Sequence, residues 1–340
     1  MDHVSVLKRA FLVTWRYRAL WLFGFFLALC SGGSGGGSGN YSPPSSSGDD
    51  FYMPMGDMPN IDWQMIAVVI AALICLVLLA VLLGIVVRAV TRTSLIGMVA
   101  QVSKTESVTI KEGWRFGWSK RAWRLFLVGI IIGIPVAIIS FVLIMLAFTP
   151  LLLLFSQETT LIVVAVILTI FAFLFVMLIL VVIGAIVTPI MELSWRRTVL
   201  DEQGVIESLS ETFGFIKHHF KDVAIIWLLM LGVGLLWVMI VFVVVLPISL
   251  LAALLVGGIP ALLVYLVSGS FFGAAVTGAP LAILAMVLVI SFLTGLYLIF
   301  RSSVWTLAYL DMQALEITPN TVAGAAPPEP PLVQVDPQTE

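Results

Sequence analysis

The 340-residue chain is 61% hydrophobic and only 11% charged, and its mean hydropathy is +1.15. Soluble domains usually carry about 25% charged residues, so this composition excludes an ordinary water-soluble protein. The net charge of −2 argues against nucleic-acid binding. Residues 125–148, 161–187 and 223–300 contain no Asp, Glu, Lys, Arg or His. Because such segments must close their backbone hydrogen bonds internally in lipid, the sequence predicts an all-α, polytopic integral membrane protein.

Six membrane-spanning helices are expected, arranged as three out-and-back hairpins. With this arrangement all 17 Lys and Arg residues fall on one side of the bilayer. Short basic loops stay on the cytoplasmic side during insertion, so we expect a cytoplasmic (inner) membrane protein with both termini in the cytoplasm. The predicted spans are 19–30, 65–87, 125–148, 161–187, 223–246 and 279–300.

Two segments of this topology leave alternatives open. The first span has 12 uninterrupted apolar residues, whereas a spanning helix needs about 20. A helix lengthened by residues 11–13 is favoured over a cleaved secretory signal. The apolar segment 247–278 contains Pro247 and Pro260. It is predicted to form a re-entrant or partial helical hairpin that faces outward, the alternative being a seventh span.

An internal repeat is visible around three threonines. Thr93 and Thr198 are 105 residues apart, and Thr198 and Thr306 are 108 residues apart. Each unit starts with an amphipathic segment and contains one pair of spans, which predicts repeats over 1–100, 101–203 and 204–311 within a single transmembrane domain, 1–311.

Two further segments have a composition typical of irregular chain. Residues 31–62 are rich in Gly and Ser, which predicts a flexible outer loop. Residues 317–340 contain six prolines and are expected to form a disordered tail.

Amphipathic segments with basic and tryptophan residues are predicted at the inner surface. Residues 109–125 and 204–222 repeat apolar side chains at three- and four-residue spacing, as helices lying in a membrane interface do. Plain anchoring is the favoured interpretation, and recognition of anionic headgroups is the alternative. The possible anionic-lipid contacts are Lys111, Arg115, Lys120, Arg121, Arg196 and Arg197.

The sequence contains no motif for a catalytic, cofactor-binding or metal-binding site. His218 and His219 are adjacent, so on a helix they point about 100° apart and cannot chelate one metal ion together. Cys30 and Cys75 do not form a metal pattern. The predicted spans also lack the ionisable residues that proton-coupled transporters generally use. We therefore expect a protein that is not an enzyme.

Two stretches carry a resemblance to a known group of membrane proteins. The opening Arg-Ala-Phe-x3-Trp-Arg-Tyr-Arg (residues 9–18) and the segment 199–217, which leads into a long span, are the matching features. Over about 1–311 the chain resembles the membrane domain of certain bacterial glycerophosphodiester phosphodiesterases and uncharacterised inner-membrane relatives. The resemblance implies a bacterial cytoplasmic-membrane location. It implies no phosphodiesterase activity, because the catalytic domain is absent.

These observations favour a non-catalytic scaffold or accessory protein at the cytoplasmic leaflet. Its expected partners are membrane lipids and possible other membrane proteins. One alternative is a permease or exporter of a lipid or small solute without proton coupling. Another is the membrane subunit of a separate enzyme.

Overall fold

A computed structural model describes residues 2–30, 63–105, 107–155 and 158–324, which form helices and short connections without any strand. The predicted loop 31–62 lies outside the described residues. The helices are α1 (His3–Arg16), α2 (Ala19–Cys30), α3 (Trp63–Thr105), α4 (Ile110–Gly117), α5 (Lys120–Phe148), α6 (Thr159–Leu200), α7 (Val205–His218), α8 (Phe220–Ile240), α9 (Leu246–Ala253), α10 (Ile259–Ser268) and α11 (Phe271–Gly324).

The same order of elements occurs three times along the chain. A short helix with an apolar and a polar face comes first, an apolar helix follows, and a long helix closes the unit. The three units are α1–α3, α4–α6 and α7–α11, with α8, α9 and α10 together in the place of the second helix. Each predicted repeat therefore holds one such unit.

The three repeated threonines occupy equivalent environments in the long helices. Thr93, Thr198 and Thr306 lie on α3, α6 and α11, and all three are 0% exposed. Each hydroxyl donates to the carbonyl oxygen four residues earlier, at 2.9, 2.8 and 2.8 Å respectively. This local bond satisfies a hydroxyl that would be costly to bury alone. The three long helices therefore have the same local structure where they are buried in the core.

Five helical stretches are long and apolar enough to cross a membrane, or six if α1 and α2 are taken as one broken span. The protein is thus a helical protein with several potential spans. The 12 residues of α2 cover about 18 Å, less than the roughly 30 Å of a bilayer core. α1 meets α2 at 96°, so residues 11–13 do not extend α2 along its axis as predicted. Instead, α1 exposes Phe11, Leu12 and Trp15 at the surface.

The segment 247–278 contains two helical stretches joined by a turn at Gly269. Phe220–Ser268 is one apolar helical stretch of 49 residues, with π-helical turns at Val241–Val245 and Leu254–Gly258. Each π-helical turn precedes a helical segment with a proline in its first turn, where the missing N–H costs least. The stretch ends at Gly269, whose φ of 64° is left-handed. α11 starts two residues later, so 247–278 completes the third hairpin.

The closing helix is longer than the sequence predicts. α11 continues to Gly324, so residues 317–324 are helical, although they belong to the predicted disordered tail. The periodic packing of α11 continues beyond its apolar span, and a helix that is already nucleated propagates readily into the following residues. Residues 325–340 lie outside the described residues.

The core is concentrated at one end of the bundle, which we call the basic end: residues 88–105 of α3, 188–200 of α6 and 297–315 of α11, with α1, α2, α4 and α7 around them. Trp305, Tyr309 and Met312 of α11 are almost fully buried at its centre. In contrast, the apolar windows of the first three candidate spans are at most 6% buried. Apolar exposure of this kind suits contact with lipid chains.

Candidate functional site

Helix α4 forms an amphipathic surface at the basic end. Trp114 and Trp118 expose more than half of their area, as does Ile110. Lys111 and Arg115 are exposed beside them. Amphipathic tryptophan rings next to basic side chains are typical of helices that lie among lipid headgroups. The structure thus keeps the apolar side chains of α4 available instead of covering them.

Close packing of two glycines against α3 fixes the orientation of α4. A Cβ atom at Gly113 would lie 2.6 Å from Met98 Sδ, and one at Gly117 would lie 2.5 Å from Ser94 Oγ. Any larger residue at these two positions would force its neighbours to move, so this face of α4 packs closely on α3, with Phe116 against Gly97. The backbone N–H of Thr109 donates to Glu112 Oε2 at 2.9 Å. This bond at the helix start lowers the pKa of Glu112 below its usual range.

The six predicted lipid contacts divide into two groups. Lys111, Arg115 and Lys120 are exposed, as a surface role requires. The remaining three are engaged within the protein. Arg121 pairs with Glu202 and donates from Nη1 to the carbonyl oxygen of Val199 at 3.3 Å, near the end of α6.

Arg196 and Arg197 are held by carboxylates of the chain. Arg197 pairs with Glu211. Arg196 is 1% exposed, and its Nη1 donates to Glu192 Oε2 at 2.7 Å. The structure therefore gives Arg196 an internal position in place of the predicted contact with a headgroup, because a buried guanidinium paired in this way cannot reach the surface.

Glu192 is the centre of a charged cluster between α6 and α11. Besides Arg196, it pairs through Oε1 with Arg301 Nη2 at 3.2 Å. Arg196 Nη2 also donates to the carbonyl oxygen of Ser302 at 3.3 Å. These contacts join α6 to α11 at the basic end, and they satisfy a carboxylate that would otherwise be costly to bury.

Two arginines of α3 lie beside this cluster without a carboxylate of their own. The Arg92 guanidinium lies 3.8 Å above the ring centre of Trp195, a cation–π contact. Arg88 precedes Arg92 by four residues and therefore lies on the same face of α3. Within the described residues, neither Arg88 nor Arg92 forms an ion pair.

An open cavity of about 560 Å³ lies between α3, α5, α6 and α11 next to these arginines. Arg88, Arg92 and Arg301 line it together with Glu192, and the rest of its wall is mainly apolar. Gly129 of α5 and Gly184 of α6 also line it, and a Cβ atom at either glycine would meet no neighbour. The missing side chains contribute to the space.

Trp195 contributes an unused hydrogen-bond donor to the same cavity. The residue lines the cavity and is 6% exposed. Its buried Nε1 has no hydrogen-bond partner among the described residues. An unpaired buried N–H is uncommon because it loses its bond to water without replacement. The cavity is therefore lined by three arginines and by Trp195, whose indole donor is unpaired among the described residues.

A second cavity of about 270 Å³ lies between α6, α8 and α11. Trp227, Tyr297 and Trp305 contribute aromatic walls. Thr188 and Arg301 line both cavities, so these two side chains lie where the cavities meet.

Sequence reasoning missed the cavity residues, although their spacing contains a signal. Arg88 and Arg301 directly follow the predicted spans 65–87 and 279–300, a position that by itself indicates only the end of a span. Arg88/Arg92 and Glu192/Arg196 are both four residues apart, which places each pair on one helix face. Among the described residues, no group of three or more His, Cys, Asp or Glu side chains could hold a metal ion.

Comparison with known proteins identifies a family without a known activity. No curated protein and no solved structure matches this chain. Nothing in these comparisons supports the resemblance to the membrane domain of glycerophosphodiester phosphodiesterases, which stays a prediction. A family profile matches residues 6–318, which covers all but a few residues of the helical fold. The chain therefore belongs to the family of unknown function DUF7544.

Proposed function

We propose that the protein is a non-catalytic scaffold or accessory protein of the cytoplasmic membrane, with its basic end at the inner leaflet and both termini in the cytoplasm. The distribution of charge supports this orientation, because the basic residues collect at one end of the helical bundle. The exposed apolar side chains of the spans face lipid in this arrangement.

The observation that carries the proposal is the surface of α4. Trp114 and Trp118 enter the interface, and Lys111 and Arg115 lie among the headgroups with Lys120 at the start of α5. Each Lys or Arg near an anionic leaflet contributes about 1 kcal/mol of attraction. In this proposal, α4 holds anionic lipids around the basic end, where partner membrane proteins also dock.

The lipid shell of the protein tests this proposal. The full chain is placed in nanodiscs of mixed phosphatidylglycerol and phosphatidylcholine, and the lipids that remain bound are counted by native mass spectrometry. We expect phosphatidylglycerol to be enriched, and the combined substitution Lys111→Gln, Arg115→Gln and Lys120→Gln to lower the enrichment several-fold.

Lys104→Gln is the matched control, because Lys104 is an exposed lysine that belongs to α3 and not to α4 or α5. It also lies 16 residues beyond Arg88, about 24 Å further along α3. This substitution should leave the enrichment unchanged. If the triple variant keeps the same bound lipids, the three residues serve only to orient the protein in the membrane.

Flux through liposomes separates the scaffold from a permease. A scaffold should carry neither labelled lipid nor small solutes across a protein-containing vesicle. The meeting of two cavities at Thr188 and Arg301 is the observation that favours a permease. Protein-dependent flux that Arg301→Gln abolishes would establish the permease and contradict the scaffold.

A further inference from the structure

The cavity between α3, α5, α6 and α11 has the composition of a site for one anionic membrane lipid. We propose that it binds the phosphate headgroup of such a lipid with Arg88, Arg92 and Arg301, while the acyl chains extend along its apolar wall. This site is distinct from the surface of α4, and it adds a specific internal ligand to the proposed function.

The first argument is the balance of charge around the cavity. Arg88, Arg92 and Arg301 line the cavity with a single carboxylate among the described residues, Glu192, which also pairs with the buried Arg196. Four positive charges and one negative charge leave an excess of three. A partly buried excess of this size is unfavourable unless an anion compensates it.

The second argument is the kind of anion that fits. Guanidinium groups are planar and offer paired N–H donors, which match the oxygens of a phosphate. Trp195, which also lines the cavity, has a further donor at its buried Nε1 that is unpartnered among the described residues. A phosphate with several acceptor oxygens would occupy these donors together, whereas chloride has no such directionality.

The third argument is the apolar remainder of the wall. Ile85 of α3, Val136 of α5 and Val187 of α6 line the cavity on the span side of the arginines. A free phosphate ion would leave this surface unused, but acyl chains cover it. The volume of about 560 Å³ lies in the range of ligand sites, which is roughly 300–1,000 Å³.

The test of this site is the amount of lipid that stays bound to the protein in detergent. The purified full chain is washed in neutral detergent, mixed with phosphatidylglycerol or phosphatidylcholine, and analysed by native mass spectrometry over a lipid titration. We expect one phosphatidylglycerol per chain to bind at least tenfold more tightly than phosphatidylcholine. Equal affinity for the two lipids would overturn the proposal.

Two kinds of variant test the two halves of the site. Arg88→Gln removes an exposed charge that has no ion pair within the described residues, and it should weaken phosphatidylglycerol binding about tenfold. Gly184→Leu places a side chain in the cavity without touching the arginines, and it should weaken binding as strongly. Gly232→Leu is its control, because a Cβ atom there also meets no neighbour and Gly232 does not line the cavity.

Further outcomes distinguish this site from its alternatives. Inorganic phosphate at millimolar concentration should compete poorly, and complete displacement of the lipid by phosphate would show an anion site without a lipid specificity. The triple variant of Lys111, Arg115 and Lys120 should keep the single tightly bound lipid. Loss of that lipid in the triple variant, with retention in Arg88→Gln, would assign it to α4 and overturn the internal site.

Discussion

At the scale of single residues, Glu192 has the most demanding environment in the described chain. It is 7% exposed and pairs with both Arg196 and Arg301. A buried ion pair contributes little net stability compared with an apolar pair of the same shape. However, removing one member leaves the other charges buried without compensation, which costs about 3–5 kcal/mol. Glu192 therefore keeps the arginine cluster stable.

Glu192→Gln is expected to lower the free energy of unfolding by about 3 kcal/mol, because the arginines lose their only carboxylate among the described residues. Denaturant unfolding in detergent micelles, followed by circular dichroism, measures the change. Glu202→Gln is the control, since the Glu202 and Arg121 side chains are 62% and 30% exposed in their pair, and a pair at the surface contributes at most about 1 kcal/mol. Equal losses in the two variants would contradict the internal role of Glu192.

The repeated threonines lie in similar buried environments, whereas Arg196 is buried at a place where the sequence predicts a lipid contact. An arginine beside a tryptophan at the end of a span is typical of the interface, and this pattern led to the prediction of a lipid contact. The residues that bury Arg196 include Arg301 and Ser302, more than 100 residues later. One sequence without its fold cannot show that these residues meet.

At the scale of elements, two glycines determine how closely α2 approaches α11. A Cβ atom at Gly24 would lie 2.7 Å from the carbonyl oxygen of Gly295, and one at Gly295 would lie 2.8 Å from the carbonyl carbon of Gly24. The two backbones are thus in contact, as in other close helix pairs built on small residues. Since α2 has only 12 residues, this crossing is a large part of its attachment.

Gly295→Ala is expected to lower the free energy of unfolding by about 1–3 kcal/mol, because the added methyl group forces α2 and α11 apart. Thermal unfolding in detergent measures the loss, and hydrogen exchange of α2 should rise with it. Gly133→Ala is the control, since a Cβ atom at Gly133 on α5 meets no neighbour. It should be neutral or raise stability by up to about 1 kcal/mol through helix propensity. A loss in Gly133→Ala that matches the loss in Gly295→Ala would exclude the crossing as its cause.

Glycines with the spacing of a helix-packing motif do not make the close contacts of this fold. Gly129-x3-Gly133 and Gly269-x3-Gly273 have the spacing of a packing motif. In the structure, however, Gly129 and Gly133 face open space, and Gly269 forms the left-handed turn before α11. Gly24 and Gly295 are each a lone glycine without such a partner, so their contact depends on the fold. Spacing identifies a helix face, but it does not identify the neighbour.

At the scale of the whole molecule, the most apolar parts of the bundle are not the most buried parts. The apolar window of α3 is 0% buried, whereas the window of α11 is 39% buried. The side chains that are fully buried belong mainly to the basic end. Hydropathy therefore identifies the long apolar helices, because contact with lipid needs only apolar composition. It says little about the basic end, where polar side chains from all three repeats pack together.

If each of the two later hairpins crosses the membrane, the turn before α6 and the turn before α11 both lie on the side opposite the basic end. In a background with Cys30→Ser and Cys75→Ser, which removes both cysteines of the chain, single cysteines are introduced by Glu158→Cys, Ser270→Cys and Lys104→Cys. Glu158 precedes α6, Ser270 precedes α11, and Lys104 lies at the end of α3. All three are exposed, so their labelling depends on the side of the membrane that they face. We expect a membrane-impermeant maleimide to label the first two variants in intact cells.

Lys104→Cys should react only after the membrane is permeabilised, and labelling in denaturant shows that all three thiols are intact. Reaction of Lys104→Cys and Ser270→Cys from the same side would mean that α8–α10 and α11 do not cross as a pair. If two complete hairpins follow α3, all later parts of the basic end lie on the same side of the membrane as the end of α3. The side of the N-terminal residues then depends on how many helices cross the membrane before that point. A helix of about 18 Å whose backbone is packed against Gly295 reaches across the bilayer only if the membrane is thin at that place.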